Sequence, residues 1–196
     1  MHDSPEPTSV SPRAGGLPRD RTVALVGLMG VGKTAIGKRL AMALGLPFRD
    51  ADEEIEAAAG RSIADIFAER GEQEFRDGER RVIARLLEQP PHVLATGGGA
   101  FVNPMTRELV LTRAVAIWLK TDLQVLAGRV ARKNTRPLLI GKDPMEVLKA
   151  QAEARYPAYA EAHLTIDTGD ATHHSAVDAI ITALSERSDP LTRGEA

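Results

Sequence analysis

GLMGVGKT, Gly27 to Thr34, carries the strongest chemical signal in the chain. Gly27, Gly32, Lys33 and Thr34 match the pattern G-x-x-x-x-G-K-[ST]. Glycines at these places let backbone N–H groups turn inward around phosphate oxygens, and a helix that follows adds a favourable dipole. The lysine reaches the outer phosphates of a nucleotide, and the hydroxyl beside it suits magnesium. The expected nucleotide contacts are Gly27, Gly30, Val31, Gly32, Lys33, Thr34 and Ala35. The motif does not name the acceptor, because switches, motors and small-molecule kinases all carry it.

Acids come next, in FRDADEEIE. Asp50 and Asp52 end a short predicted strand, and residues two apart in extended backbone face the same way. Both carboxylates can therefore point at the phosphates. One suits magnesium through water, and the other could accept a proton from an attacking hydroxyl. The same run also reads as an acidic start to a helix.

A later strand runs into HVLATGGGAF and ends in Gly97, Gly98 and Gly99 rather than in an acid. With no acid there to serve a metal, Asp50 is the natural substitute. Three glycines leave bare backbone, which allows close approach. The competing reading is a tight turn that needs positive φ, for which one or two glycines suffice. Arg76 in GEQEFRDGE, Arg136 in NTRPLL and Arg155 in RYPAY are candidate anion forks. Arginine grips carboxylate or phosphate as a planar fork, although most single arginines are surface groups. Spacing alone does not show that they converge.

The elements that must position these residues alternate. Thr22–Val26 is a continuous apolar run, as a strand buried on both faces should be. Lys33–Leu44 has helical spacing with Gly45 as its stop. Strands are expected at Leu46–Arg49, His92–Thr96, Ala114–Leu119 and Leu164–Asp167. Helices are expected at Glu53–Ala59, Ser62–Glu69, Glu72–Glu88, from Asn103-Pro104 onward, and at Asp122–Ala131, Pro144–Ala162 and His173–Ser185. Ser62 and Asp65 have the spacing of an N-cap with an acidic first turn, and His173-His174 reads as a helix-start cap. Arg132 to Asp143 has no clear period and reads as a loop. Strands separated by helices predict an α/β fold, a P-loop three-layer α/β/α architecture with a five-stranded parallel sheet.

The bulk numbers bound the rest. The chain has 196 residues, 43% hydrophobic and 4% aromatic, enough for one domain with an aliphatic core. Its formal net charge is −2, with both signs mixed, which argues against a general nucleic-acid binder. It has no cysteine, which excludes disulfides, thiolate zinc sites and a cysteine nucleophile, and fits a reducing cytosol. No apolar run approaches the ~20 residues that cross a bilayer. Residues 1–20 lack a signal-peptide core and read as a flexible tail, as do residues 187–196. The segment between them, 21–186, is expected to be one domain.

The sequence resembles the shikimate kinase family from about Thr22 to Thr168. The resemblance rests on GLMGVGKT, on DAD at Asp50 to Asp52, on GRSIADIFAERGEQEFR at Gly60 to Arg76, on TGGGA at Thr96 to Ala100, on RPLL at Arg136 to Leu139 and on RYPAY at Arg155 to Tyr159. It implies transfer of the ATP γ-phosphoryl group to the shikimate 3-hydroxyl with Mg²⁺, on the route to chorismate and the aromatic amino acids. It implies a helical substrate-binding insertion at about 52–89 and a mobile lid at about 132–143.

By motif, Asp52 contacts the shikimate hydroxyls and is the candidate base, and Asp50 with Thr34 holds the metal. Arg76 and Arg155 clamp the carboxylate over Gly97, Gly98 and Gly99. Lys33 and the lid residue Arg136 stabilise the transferred phosphoryl. Arg129 lies against adenine, with Arg132 as a nearby rival. A cytoplasmic monomer, with no nucleic-acid or membrane partner, is expected. His163 departs from the family's usual Ala and touches none of this chemistry. The alternative acceptor is another small acid or polyol such as gluconate. A nucleotide switch would normally keep an acid after its third strand, and a regulatory ATP binder without catalysis would not need Lys33, Asp52 and Arg136 intact.

Overall fold

The computed structural model describes residues 20–131, 143–169 and 172–186. Five strands form one parallel sheet: β1 (Thr22–Val26), β2 (Phe48–Asp50), β3 (Val93–Ala95), β4 (Ala114–Lys120) and β5 (Leu164–Asp167). Their spatial order is β2-β3-β1-β4-β5. Every residue of β1 is buried, as its unbroken apolar run requires when helices cover both faces of the sheet. The chain leaves β1 toward β2 on one side and places β4 on the other. In open α/β sheets, ligands bind outside the carboxyl ends of the strands at such a reversal.

The helices are α1 (Lys33–Leu44), α2 (Ala51–Ala59), α3 (Ile63–Leu87), α4 (Pro104–Arg113), α5 (Leu123–Ala131), α6 (Pro144–Tyr159) and α7 (His173–Glu186). The main core is aliphatic, with Leu25, Ile36, Leu40, Leu94 and Ile117 fully enclosed and the aromatic rings of Phe101 and Tyr159 among them. A smaller cluster of Ile55, Ile66 and Phe75 ties α2 to both halves of α3.

The expected elements are present, with instructive shifts. Gly45 and Leu46 cap α1, the Leu46 N–H donating to the Ala41 carbonyl at 2.9 Å. That cap holds Leu46 out of the sheet, so the second strand starts at Phe48 rather than Leu46. The acidic run begins its helix at Ala51, not Glu53, because the Asp50 side chain accepts the Asp52 N–H at 3.1 Å. The two helices expected at 62–69 and 72–88 form one run broken at Gly71, whose φ of 78° and ψ of 174° are non-helical. Ser62 caps it as expected, accepting from the Asp65 N–H at 3.1 Å.

The long helix stops at Tyr159, three residues before Ala162, with Pro157 inside its last turn. The cap of α7 is not a histidine: Thr172 Oγ1 accepts the Ser175 N–H at 3.2 Å, and an imidazole one residue later is already helical. His163 buttresses the sheet, its Nδ1 accepting the Ala116 N–H at 3.0 Å. No helix among the described residues is long and apolar enough to cross a membrane. Residues 132–142 of the expected lid, with Arg136 and Arg132, and the expected tails at 1–19 and 187–196, lie outside the described residues.

Candidate active site

The P-loop joins β1 to α1. Gly27 sits at φ 143°, and a Cβ there would lie 2.6 Å from the Leu119 carbonyl oxygen, so backbone conformation and space both demand glycine. Gly32 caps α1 at φ 97°, its carbonyl accepting the Ile36 N–H. Lys33 Nζ folds back over the loop and donates to the carbonyls of Gly27 at 2.8 Å and Leu28 at 3.0 Å. Gly30, Gly32, Lys33, Thr34 and Ala35 line a cleft of about 620 Å³. Val31 is buried, its side chain packed beneath Gly27.

Asp50, Asp52, Thr96 and Gly98 line the same cleft. Thr34 Oγ1 donates to Asp50 Oδ2 at 2.7 Å, which brings two hard oxygen donors together beside the phosphate loop. Among the described residues no cluster of three or more His, Asp or Glu could enclose a metal. This sparse set fits magnesium, which uses one or two protein oxygens and completes its shell with water and substrate phosphates.

Asp52 is the second residue of α2, two past the Asp50 cap. It keeps contact with solvent through the cleft mouth, yet enough protein surrounds the carboxyl that lost hydration pushes its pKa up, with the Asp50 charge adding to the rise and Lys33 and Arg76 opposing it. A carboxylate so placed is a stronger proton acceptor than an ordinary aspartate.

Beyond Asp52 the sequence-expected acceptor residues converge on the glycine run. The run does turn, the Ala100 N–H donating to the Gly97 carbonyl at 3.2 Å, but none of Gly97, Gly98 and Gly99 has positive φ, so the turn does not account for the glycines. Their requirement is space. A Cβ at Gly97 would lie 2.6 Å from Glu79 Oε1 and 3.0 Å from Asp52 Oδ1. One at Gly99 would lie 2.5 Å from Arg76 Nη2, and one at Gly98 3.2 Å from Arg155 Nη1. The glycines let two guanidinium groups and two carboxyls pack onto bare backbone. Gly98 also abuts the P-loop, its Cβ position 3.6 Å from the Gly27 carbonyl oxygen and from the Met29 nitrogen.

Two residues of this site were not singled out from the sequence. Glu79 is buried, accepts from Arg76 Nη1 at 2.7 Å and holds that guanidinium in place. Burial pushes its pKa up, and the Arg76 charge opposes the rise. Tyr159 is fully buried and donates its hydroxyl to the Gly98 carbonyl. Helical spacing is the signal that points to both, since Glu79 is i+3 from Arg76 and Tyr159 is i+4 from Arg155. Arg129 does not line the cleft walls; its Nη2 donates to the Gly169 carbonyl at 3.0 Å, just past β5.

Comparison with known proteins identifies the family of this chain. The shikimate kinase family model matches residues 29–185. A shikimate kinase of Caulobacter vibrioides is 67% identical over 168 residues, covering 86% of this chain and 84% of the relative. One from Zymomonas mobilis is 54% identical over 167 residues, covering 85% and 95%. The solved structure of shikimate kinase from Acinetobacter baumannii in complex with shikimate superposes with a TM-score of 0.79 at 37% identity, over 86% of this chain and 96% of that one. A gluconokinase from Sinorhizobium meliloti shares the fold at a TM-score of 0.61 but only 18% identity. A P-loop facing a glycine floor flanked by two arginines thus occurs in a chain that belongs to the shikimate kinase family.

Proposed function

We propose that this protein transfers the γ-phosphoryl group of ATP to the 3-hydroxyl of shikimate, releasing ADP and shikimate 3-phosphate. The observation that carries this reading is the convergence of Arg76, Arg155 and Asp52 on Gly97 to Gly99, where Gly98 and Asp52 line the same cleft as Lys33. Such a floor has two cations for a carboxylate and an acceptor for hydroxyls. The P-loop backbone and Lys33 hold the phosphates, and Lys33 exchanges its two carbonyl partners for phosphate oxygens. Arg76 and Arg155 grip the acceptor carboxylate and orient the ring, and Asp52 receives the hydroxyl proton. Phosphoryl transfer passes through a loose transition state, so placement and charge outweigh base strength.

Thr34 and Asp50 would hold Mg²⁺, which neutralises phosphate charge when bound. Arg136 would supply further positive charge to the transferred phosphoryl group. Arg129 faces the adenine end. The enzyme is read as a cytosolic monomer; a chain without cysteine fits a reducing cytosol. A coupled ADP-release assay over a panel of acids and polyols tests the reading. ADP release should depend on shikimate and be abolished by a magnesium chelator. Release with gluconate but not shikimate would overturn it. Gluconate has support only at the level of fold.

A further inference from the structure

We infer that Tyr159 is a positioning residue for the acceptor, its hydroxyl locking the Gly98 peptide and the Arg155 guanidinium into one rigid unit. The inference rests on the acceptor reading above. Tyr159 ends α6, and Gly98 follows β3, 61 residues earlier. The hydroxyl donates to the Gly98 carbonyl, and Arg155, one helical turn before it, lies near enough for its charge to act on the phenol. Arg155 Nη1 in turn lies over Gly98. Three groups on two segments therefore close a small ring of contacts at the floor of the cleft. Since Gly98 also touches the P-loop at Gly27 and Met29, this ring sets the distance between the acceptor floor and the phosphate loop.

Two further observations separate this role from simple packing. The ring of Tyr159 is held independently, with Trp118 at 5.9 Å and Tyr156 at 6.4 Å between centroids. Removal of the hydroxyl alone leaves those contacts intact. Burial also pushes the phenol up to about 12, so the hydroxyl keeps its proton and remains a donor at every pH at which the enzyme would work. A group that neither titrates nor faces the cleft has no part in proton transfer. Its contribution is to hold the Gly98 carbonyl beside the Arg155 guanidinium.

The test is Tyr159→Phe beside Tyr156→Phe, which changes the neighbouring ring in the same cluster. The shikimate Kd is measured by isothermal titration calorimetry. Tyr159→Phe should raise both the shikimate Kd and the shikimate KM about tenfold, the scale of one lost hydrogen bond. The KM for ATP should stay within about twofold, and Tyr156→Phe should match the wild type. Equal rises in both KM values, or an unchanged shikimate Kd, would overturn the inference. So would loss of a cooperative melt in Tyr159→Phe, because the hydroxyl would then serve the whole fold. If the wild-type chain releases no ADP with shikimate, the parent reading fails and this one fails with it; a wild type that turns over shikimate beside an unaffected Tyr159→Phe defeats this one alone.

Discussion

Arg76 and Glu79 form an ion pair of 2.7 Å at the floor of the cleft, in which the carboxylate is only 2% exposed while the guanidinium reaches toward the glycine run. The second oxygen, Glu79 Oε1, has no hydrogen-bond partner among the described residues. A buried charge is tolerated when it is paired, so Glu79 and Arg76 hold each other in place. The direction in which Arg76 presents itself to an anion is thus decided from beneath, by a residue the acceptor need not touch.

Glu79→Gln keeps the volume and removes the charge. Arg76 should then lose its fixed direction, and the shikimate KM should rise about tenfold, the scale of one charge-assisted hydrogen bond. The KM for ATP should not move. Arg76→Ala should raise the shikimate KM further. Steady-state kinetics in both substrates check this, and a wild-type shikimate KM in Glu79→Gln would show that Arg76 is aligned by other contacts.

Asp52 is raised by lost hydration and by Asp50. An acid whose folded pKa exceeds its unfolded value favours the folded state at low pH, and that benefit is lost as pH rises through the folded pKa. At neutral pH the ionised Asp52 therefore weighs against folding. Asp52→Asn should raise Tm while lowering kcat by at least about a hundredfold. In the wild type, the acid limb of kcat/KM should fall at a pH above the ordinary aspartate value of 3.8. A Tm below the wild type in Asp52→Asn would contradict the assignment.

The glycine run makes an ordered prediction. Gly97→Ala and Gly99→Ala each place a methyl within 2.6 Å of Glu79 Oε1 or Arg76 Nη2, whereas Gly98→Ala meets Arg155 Nη1 at 3.2 Å. These neighbours are side-chain ends that can move, so the cost falls on alignment rather than on folding. The shikimate KM should rise more for Gly97→Ala and Gly99→Ala than for Gly98→Ala, with small changes in Tm. Gly98→Ala should still affect shikimate more than ATP. Equal loss of both substrates in all three variants would mean that the run serves the P-loop instead.

His92 is buried beside Thr22 at the start of the sheet, with its Nδ1 2.9 Å from the Pro90 carbonyl. Burial holds its pKa below the ordinary 6.5, the Pro90 hydrogen bond opposing only in part. The unfolded chain takes up a proton that the folded chain refuses, so stability should fall as pH drops below the unfolded value. Melting curves from about pH 7.5 to about pH 5.5 should show a steeper loss of Tm in the wild type than in His92→Gln, which cannot titrate in that range. Parallel curves would remove His92 as a source of acid sensitivity.

The sequence alone determined the parts of this protein that depend on neighbours along the chain. The P-loop was legible because its chemistry needs glycine, lysine and a hydroxyl at fixed short spacing. The strands and helices were legible because apolar periodicity and capping are local, and Thr22–Val26, Lys33–Leu44 and Leu164–Asp167 fall at the expected residues. Boundaries moved where a cap decided them, as at Leu46 and Asp50.

The tertiary structure alone decided why three glycines stand at 97 to 99. No local rule shows that Arg76, Glu79, Asp52 and Arg155 all press on that backbone, since they come from α2, α3 and α6. The same holds for the Tyr159 hydroxyl, whose partner lies 61 residues away. Close approach is a property of packing, in which residues distant in sequence compete for one volume, and spacing along a chain carries no record of that competition.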